Sequence, residues 1–245
     1  LTTRAPSRLF SHGRRVRGKA GRFVGAGAAS TEGRLVRISY RVPQMHSADD
    51  PTTYDLCVIG GLGRAGLPLS VTFACQGKQV LVYDKNERVA KSVRAGNMPF
   101  LEEGGEVWLR EALDSGRLTV TSDPAGIRRA RNLIVVIGTP VDDYQNPRLD
   151  IVMDFLEEIA PHVVDGQYLI LRSTVYPGTT QLVSEYFKKR QRDIHVTFCP
   201  ERIAEGRAFD ELRRLPQIVS GFVPEDVSEM KRLFSVLGCK TVELT

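Results

Sequence analysis

The sequence predicts an α/β fold, a doubly wound and mostly parallel sheet. Two observations carry that expectation. From residue 54 onward, short β-rich apolar runs alternate with helical stretches, which is the pattern of βαβ units. One of these runs, "NLIVVIG" (132–138), is apolar throughout, as expected of a strand covered on both faces. The 245 residues are 42% apolar and 26% charged, a globular composition in a chain long enough to bury a substantial core.

The elements follow in order. "DLCVIG" (55–60) is a first strand, followed by a helix over 64–76. "QVLVYD" (79–84) is a second strand, with helices expected over 86–96 and 105–115. The short strand "LTVTS" (118–122) and "NLIVVIG" come next, then a helix near 150–160. "QYLILRS" (167–173), a helix over 179–190 and "IHVTFC" (194–199) continue the alternation. "QIVSG" (217–221), a helix over 224–237 and "KTVEL" (240–244) complete it. No internal repeat or linker-like gap interrupts residues 54–245, which read as one domain. Residues 1–53 read as a disordered basic tail in front of it.

The formal net charge of +5 conceals an asymmetry. Residues 1–44 hold ten Lys/Arg and one acid, Glu32, whereas the other 201 residues hold 24 bases and 28 acids. A nucleic-acid interface needs its positive charge on a folded face, so no nucleic-acid partner is expected. No run of 18 apolar residues exists, so no transmembrane helix and no membrane partner are expected. The tail has three readings: sequence translated upstream of a start at Met45, a flexible arm, or an Arg-rich, acid-poor transit peptide. The four cysteines show no C-x-x-C spacing and no His at metal-ligand distance, so no metal site is expected. Cys57 and Cys75 fall at apolar positions and read as small buried hydrophobes. With no secretory signal, a reducing cytoplasm is the expected compartment.

"CVIGGLGRAGLPLS" (57–70) runs the first strand into Gly61-x-Gly63-x-x-Gly66 and then into a helix. In this fingerprint of Rossmann-type sheets the first glycine permits a tight turn and the second lets backbone approach a pyrophosphate. The third lets helix pack closely on strand, and the helix N-terminus faces the phosphate charge. Gly61, Leu62, Gly63, Arg64, Ala65 and Gly66 are therefore the candidate pyrophosphate loop. Asp84 ends the second strand, 18 residues beyond Gly66. A carboxylate there accepts hydrogen bonds from both adenine-ribose hydroxyls and repels a 2′-phosphate, which favours NAD over NADP. The adjacent Lys85 blunts that preference.

Ligands of an open α/β sheet bind outside the carboxyl ends of its strands. Three further segments follow apolar strands onto that edge: "GTP" (138–140), "STVYPGTT" (173–180) and "CPERIAEG" (199–206). They bring Thr139, Ser173, Thr174, Glu201 and Glu205 to one rim. Singly, each also reads as a helix cap or a solvated carboxylate.

Five stretches, "GLGRAGLPLS", "GNMPFLEEG", "GTPVDDYQNP", "STVYPGTT" and "CPERIAEGRAFDELRRLPQIVSG", stand in this order. Together they resemble the N-terminal NAD-binding domain of the UDP-glucose/GDP-mannose dehydrogenase family over residues 54–245. The last two are closest in wording to the branch acting on UDP-N-acetyl sugars, the UDP-N-acetylmannosamine dehydrogenases. The resemblance implies NAD-dependent oxidation of the C6 hydroxyl of a UDP-sugar, UDP-N-acetylmannosamine-like or UDP-glucose-like, to the uronic acid for cell-surface polysaccharide synthesis. In that family a cysteine thiolate captures the aldehyde, a second hydride leaves, and the thioester is hydrolysed.

Carried over residue by residue, Gly61, Gly63, Gly66, Asp84 and Lys85 would hold the cofactor, and Thr139 and Thr174 would line its nicotinamide side. Glu201, helped by Thr174, would position or deprotonate the hydrolytic water, a role suited to a carboxylate whose pKa burial raises. Glu205 would sit near the nicotinamide and the sugar. Glu201, Arg202, Ile203, Ala204 and Glu205 together would line the substrate. Arg88 stands one place before the family's cofactor-contacting arginine.

The resemblance also implies a homodimer in the full-length protein. The family's catalytic cysteine, and the Lys and Asn that polarise the oxyanion, lie on a second domain after a long connecting helix. The chain is therefore expected to be the NAD-binding half, without the central helix and sugar-binding domain and inactive alone. Cys199 stands on the rim, but the family's nucleophile approaches from the opposite domain. Cys239 reads as core. Two other readings share the fold: a stand-alone dinucleotide-binding module without catalysis, and a hydroxyacid or 6-phosphogluconate-type dehydrogenase. The latter leaves "CPERIAEG" unexplained.

Overall fold

Side-chain alternation along the first strand, β1 (Tyr54–Ile59), sets the architecture. Leu56 and Val58 enter one apolar core while Cys57 and Ile59 enter another. Successive strand residues point to opposite faces, so β1 is sandwiched. A computed structural model describes residues 53–138 and 148–244. The tail expected over 1–53, Thr53 excepted, and the candidate site residue Thr139 lie outside the described residues.

After β1 come α1 (Gly66–Cys75), β2 (Val80–Tyr83), α2 (Glu87–Arg94), α3 (Gly105–Asp114) and β3 (Leu118–Thr121). A 3₁₀ turn at Pro124–Arg129 leads to β4 (Ala130–Val135), α4 (Leu149–Ile159), β5 (Tyr168–Leu171), α5 (Thr179–Lys189) and β6 (His195–Phe198). The chain then adds α6 (Ala208–Arg214), β7 (Gln217–Gly221), α7 (Pro224–Ser235) and β8 (Thr241–Glu243). Every expected strand is present. The first helix begins at Gly66 rather than near 64, because residues 60–65 wrap as turns across the end of β1. The helix α6 is an element that periodicity did not reveal.

The strands form one eight-stranded sheet in the order β3-β2-β1-β4-β5-β6-β7-β8. All neighbours from β3 to β6 are parallel, as are β7 and β8, but β7 runs antiparallel to β6. A parallel neighbour needs a crossover long enough to return the chain to the starting edge. The seven residues of α6 rise only about 10 Å, so the chain re-enters the sheet from the edge at which it left. Side chains from α1, α2, α3, α6 and α7 fill the core on one face, and those from α4 and α5 fill the other. The sheet is thus doubly wound, and strand order reverses between β1 and β4.

The helix α1 is buried along nine of its ten residues. Its two buried hydroxyls are satisfied locally: Ser70 Oγ donates to the Gly66 carbonyl and Thr72 Oγ1 to that of Pro68, both at 2.7 Å. Phe73 on this helix is fully buried, its ring 5.8 Å from that of Phe234 on α7. Among the described residues no helix is long and apolar enough to cross a membrane. Replacing Phe73 by Ala is expected to cost about 3–5 kcal/mol in urea unfolding; a loss below about 1 kcal/mol would contradict this packing.

Candidate functional site

The turn out of β1 is closed by sterics. Gly60 has φ +73°, and a Cβ there would lie 2.2 Å from the Val136 carbonyl oxygen beyond β4. The positive φ therefore falls on Gly60, one residue before the glycine that the fingerprint assigns to the turn. Gly61 is confined instead by contact, since its Cβ would meet the Val58 carbonyl and Val82 at 2.8 Å. A Cβ on Gly66 would fall 2.7 Å from Gly61 Cα, so the start of α1 rests directly on the loop. Gly63 differs. A Cβ there meets nothing nearer than the Gly60 oxygen at 4.0 Å, so no protein atom requires this residue to be glycine.

Asp84 ties this loop to the end of β2. Its Oδ2 accepts from the Leu62 N–H at 3.2 Å, and its Oδ1 accepts from the Asn86 N–H at 3.0 Å. Asn86 in turn caps α2 by accepting from the Val89 N–H. Beside Asp84 a cleft of about 350 Å³ opens at the point where strand order reverses. Its walls include Ile59, Gly60, Asp84, Lys85, Ile137 and Phe155. Open α/β sheets bind ligands at this position. The first turn of α1 carries no acidic side chain, leaving its positive dipole end unopposed.

The second group of expected site residues lies after β5 and β6. Arg64 of the glycine loop reaches Glu205 at 3.4 Å, and its guanidinium also lies 5.4 Å from the Phe100 ring centre. The loop residues of "GLGRAG" and "CPERIAEG" therefore meet. Thr174 is exposed on the segment after β5, while Ser173 Oγ donates to the Ile137 carbonyl at 2.6 Å and joins the ends of β5 and β4. Arg202 donates to the Pro216 carbonyl. The Ile203 side chain is half-buried against the core, and the Ala204 N–H is bonded to Glu211.

Glu201 turns inward. One oxygen lies 2.5 Å from Nη2 of Arg172, which is 1% exposed, and the other accepts from the Arg202 and Ile203 N–H groups at 2.7 and 3.0 Å. Arg172 also donates to the Cys199 carbonyl (3.1 Å) and to Gln217 Oε1 (2.6 Å). In this arrangement Glu201 anchors its own loop over a buried cation.

Two contributors escaped the sequence reading. Arg172 ends an otherwise apolar strand, and a basic residue there reads as an exit into solvent. Glu102, in the quoted stretch "GNMPFLEEG", is 8% exposed and accepts from the N–H groups of Gly206 (3.1 Å) and Ala208 (2.6 Å). It thereby satisfies the start of α6. No sequence signal links residues more than 100 positions apart.

None of the four thiols is activated. Burial pushes Cys199 up to about 12, against a partial opposing pull from Arg172, and Cys75 up to about 11, with Glu111 adding to the rise. Cys57 and Cys239 are also raised, chiefly by burial. A reactive cysteine needs a thiolate near neutral pH, so Cys199 is a buried core residue. Iodoacetamide applied to the native chain at pH 8 is expected to leave Cys199 unmodified by peptide mass mapping; rapid labelling there would contradict its burial. Glu201→Ala is expected to destabilise the chain by about 3–5 kcal/mol, because Arg172 is left as an uncompensated buried charge. A freely solvated rim carboxylate would cost less than about 0.5 kcal/mol by the same denaturation assay.

Comparison with known proteins accords with this geometry. A UDP-N-acetyl-D-mannosamine dehydrogenase of Methanococcus aeolicus is 29% identical over 184 residues, covering 74% of this chain and 41% of that protein. A UDP-glucose 6-dehydrogenase of Pseudomonas aeruginosa is 33% identical over 185 residues, covering 72% and 40%. The solved UDP-D-ManNAc dehydrogenase of Pyrococcus horikoshii superimposes with a TM-score of 0.72 at 26% identity, over 78% of this chain and 46% of that one. The chain thus spans about two-fifths of the length of these curated relatives. Residues 54–237 match the model of the UDP-glucose/GDP-mannose dehydrogenase family, NAD binding domain, and the chain belongs to that family.

Proposed function

We propose that residues 54–245 are the NAD-holding part of a nucleotide-sugar 6-dehydrogenase that oxidises the C6 hydroxyl of a UDP-sugar to the uronic acid. The carrying observation is Gly63: a glycine with open space before it, in a loop whose other glycines are closed by protein atoms. In this reading the backbone of Gly61–Gly66 and the N-terminus of α1 receive the pyrophosphate. Asp84, already held by two backbone N–H groups, offers its remaining lone pairs to the ribose diol at the mouth of the cleft. Bound NAD supplies the hydride acceptor. Thr174, Glu205 and the 201–205 loop face the same rim as the substrate side, and Glu201 must exchange its hold on Arg172 for any contact with water or sugar.

The substrate class follows the relatives, which act on UDP-N-acetyl-D-mannosamine and UDP-glucose by name. Homodimer assembly of the full-length protein, a cytoplasmic location and a tail over residues 1–53 belong to the same reading and rest on the family resemblance and the composition. In this reading the thiol for the covalent step is none of the four here, which burial shifts upward.

Two measurements test this. Calorimetric titration of the chain with NAD is expected to show binding, and Gly63→Val is expected to weaken it at least about tenfold without a large fall in melting temperature. Gly66→Ala should instead lower the melting temperature. Absence of NAD binding by the wild-type chain, or undiminished binding by Gly63→Val, would overturn the cofactor assignment. Robust turnover of a UDP-sugar by this chain alone would overturn the requirement for a second half.

A further inference from the structure

Lys85 poses a problem for a cleft that should reject a phosphorylated ribose. It directly follows Asp84, and it is the one cation among the described residues lining the cleft. A 2′-phosphate carries close to two negative charges at neutral pH and would be expected to recruit it.

The opposite wall answers the problem. Asp154 and Glu158, one turn apart on α4, line the same cleft. The Lys85 ammonium is ion-paired with Oε2 of Glu158, and the Tyr83 hydroxyl donates to Oε1 of the same carboxylate at 3.4 Å. Tyr83 lies on β2 with only 5% of its surface exposed, so Glu158 is braced from the sheet as well as from its own helix. The phenol is shifted upward, first by burial and then by the charge of Glu158. Three carboxylates, Asp84, Asp154 and Glu158, line the cleft together with Lys85, and Glu158 pairs with its ammonium at the cleft's exposed edge.

We propose that Glu158 is a specificity-determining residue for the dinucleotide: by holding Lys85 it withdraws the cation that a 2′-phosphate would need. Asp84 selects for the ribose diol, and Glu158 removes the alternative that Lys85 would otherwise offer. This rests on the NAD reading of the cleft.

The test is a titration of the 245-residue chain with NAD and with NADP, read as the ratio of the two affinities. Glu158→Gln keeps shape and removes charge, and is expected to move that ratio toward NADP by about tenfold. Adding Lys85→Met to Glu158→Gln should return the ratio to the wild-type value. Glu158→Ala, read by the same ratio, carries the test if Glu158→Gln melts early. An unchanged ratio in folded Glu158→Gln, a gain that survives loss of Lys85, or a tenfold fall in NADP affinity on Lys85→Met alone would each overturn the assignment. A wild-type chain that binds no NAD would overturn the cofactor reading itself, an outcome separate from failure of the ratio to move.

Discussion

One buried cation organises half of the carboxyl edge. Arg172 leaves β5 directly into the protein, where a guanidinium is tolerated only if its charge and most of its donors are met. Glu201 meets the charge at Nη2, and the Cys199 carbonyl and Gln217 both accept from Nη1. Nε is left without a partner among the described residues, and the ring of Phe234 lies 5.2 Å from the guanidinium carbon. These partners come from the segment after β6, from β7 and from α7. The same group therefore fixes the loop that carries Glu201 and the place where the sheet changes from parallel to antiparallel. The conformation of the 199–203 segment follows from the need to neutralise Arg172.

The other half of the edge is governed by exclusion rather than charge. Around Gly60, Gly61 and Gly66 the backbone passes so close to neighbouring atoms that no side chain fits, and this compactness brings Asp84 within reach of the Leu62 N–H. The packing leaves space open at Gly63 and a cleft open beside Asp84. In the proposed reading, the dinucleotide occupies what tight packing leaves unfilled.

The strands were legible because helices cover both faces of the sheet, which makes runs such as "NLIVVIG" apolar along their whole length. Asp84 was legible because strand and glycine loop fix its distance along the chain. The helix α6 was not: "AFDELRR" is only two turns long, and its start is satisfied by Glu102, more than 100 residues away. Arg172 was illegible for a related reason, since nothing local distinguishes a basic residue leaving the sheet from one turning into it. Glu201 was visible as a candidate, but its orientation depends on that hidden partner. Local pattern reports burial and turns; it does not report which distant group satisfies a buried charge.

The contact between Glu102 and the start of α6 has a mechanical consequence. Arg64 rests against Phe100 on one loop and Glu205 on another, and Glu102 pins those two loops to each other through the N–H groups of Gly206 and Ala208. The three links close a triangle. Its two exposed members are weak; its buried member is charge-assisted and strong. Parting the two loops therefore means breaking the Glu102 bonds, whereas the Arg64 contacts can give first.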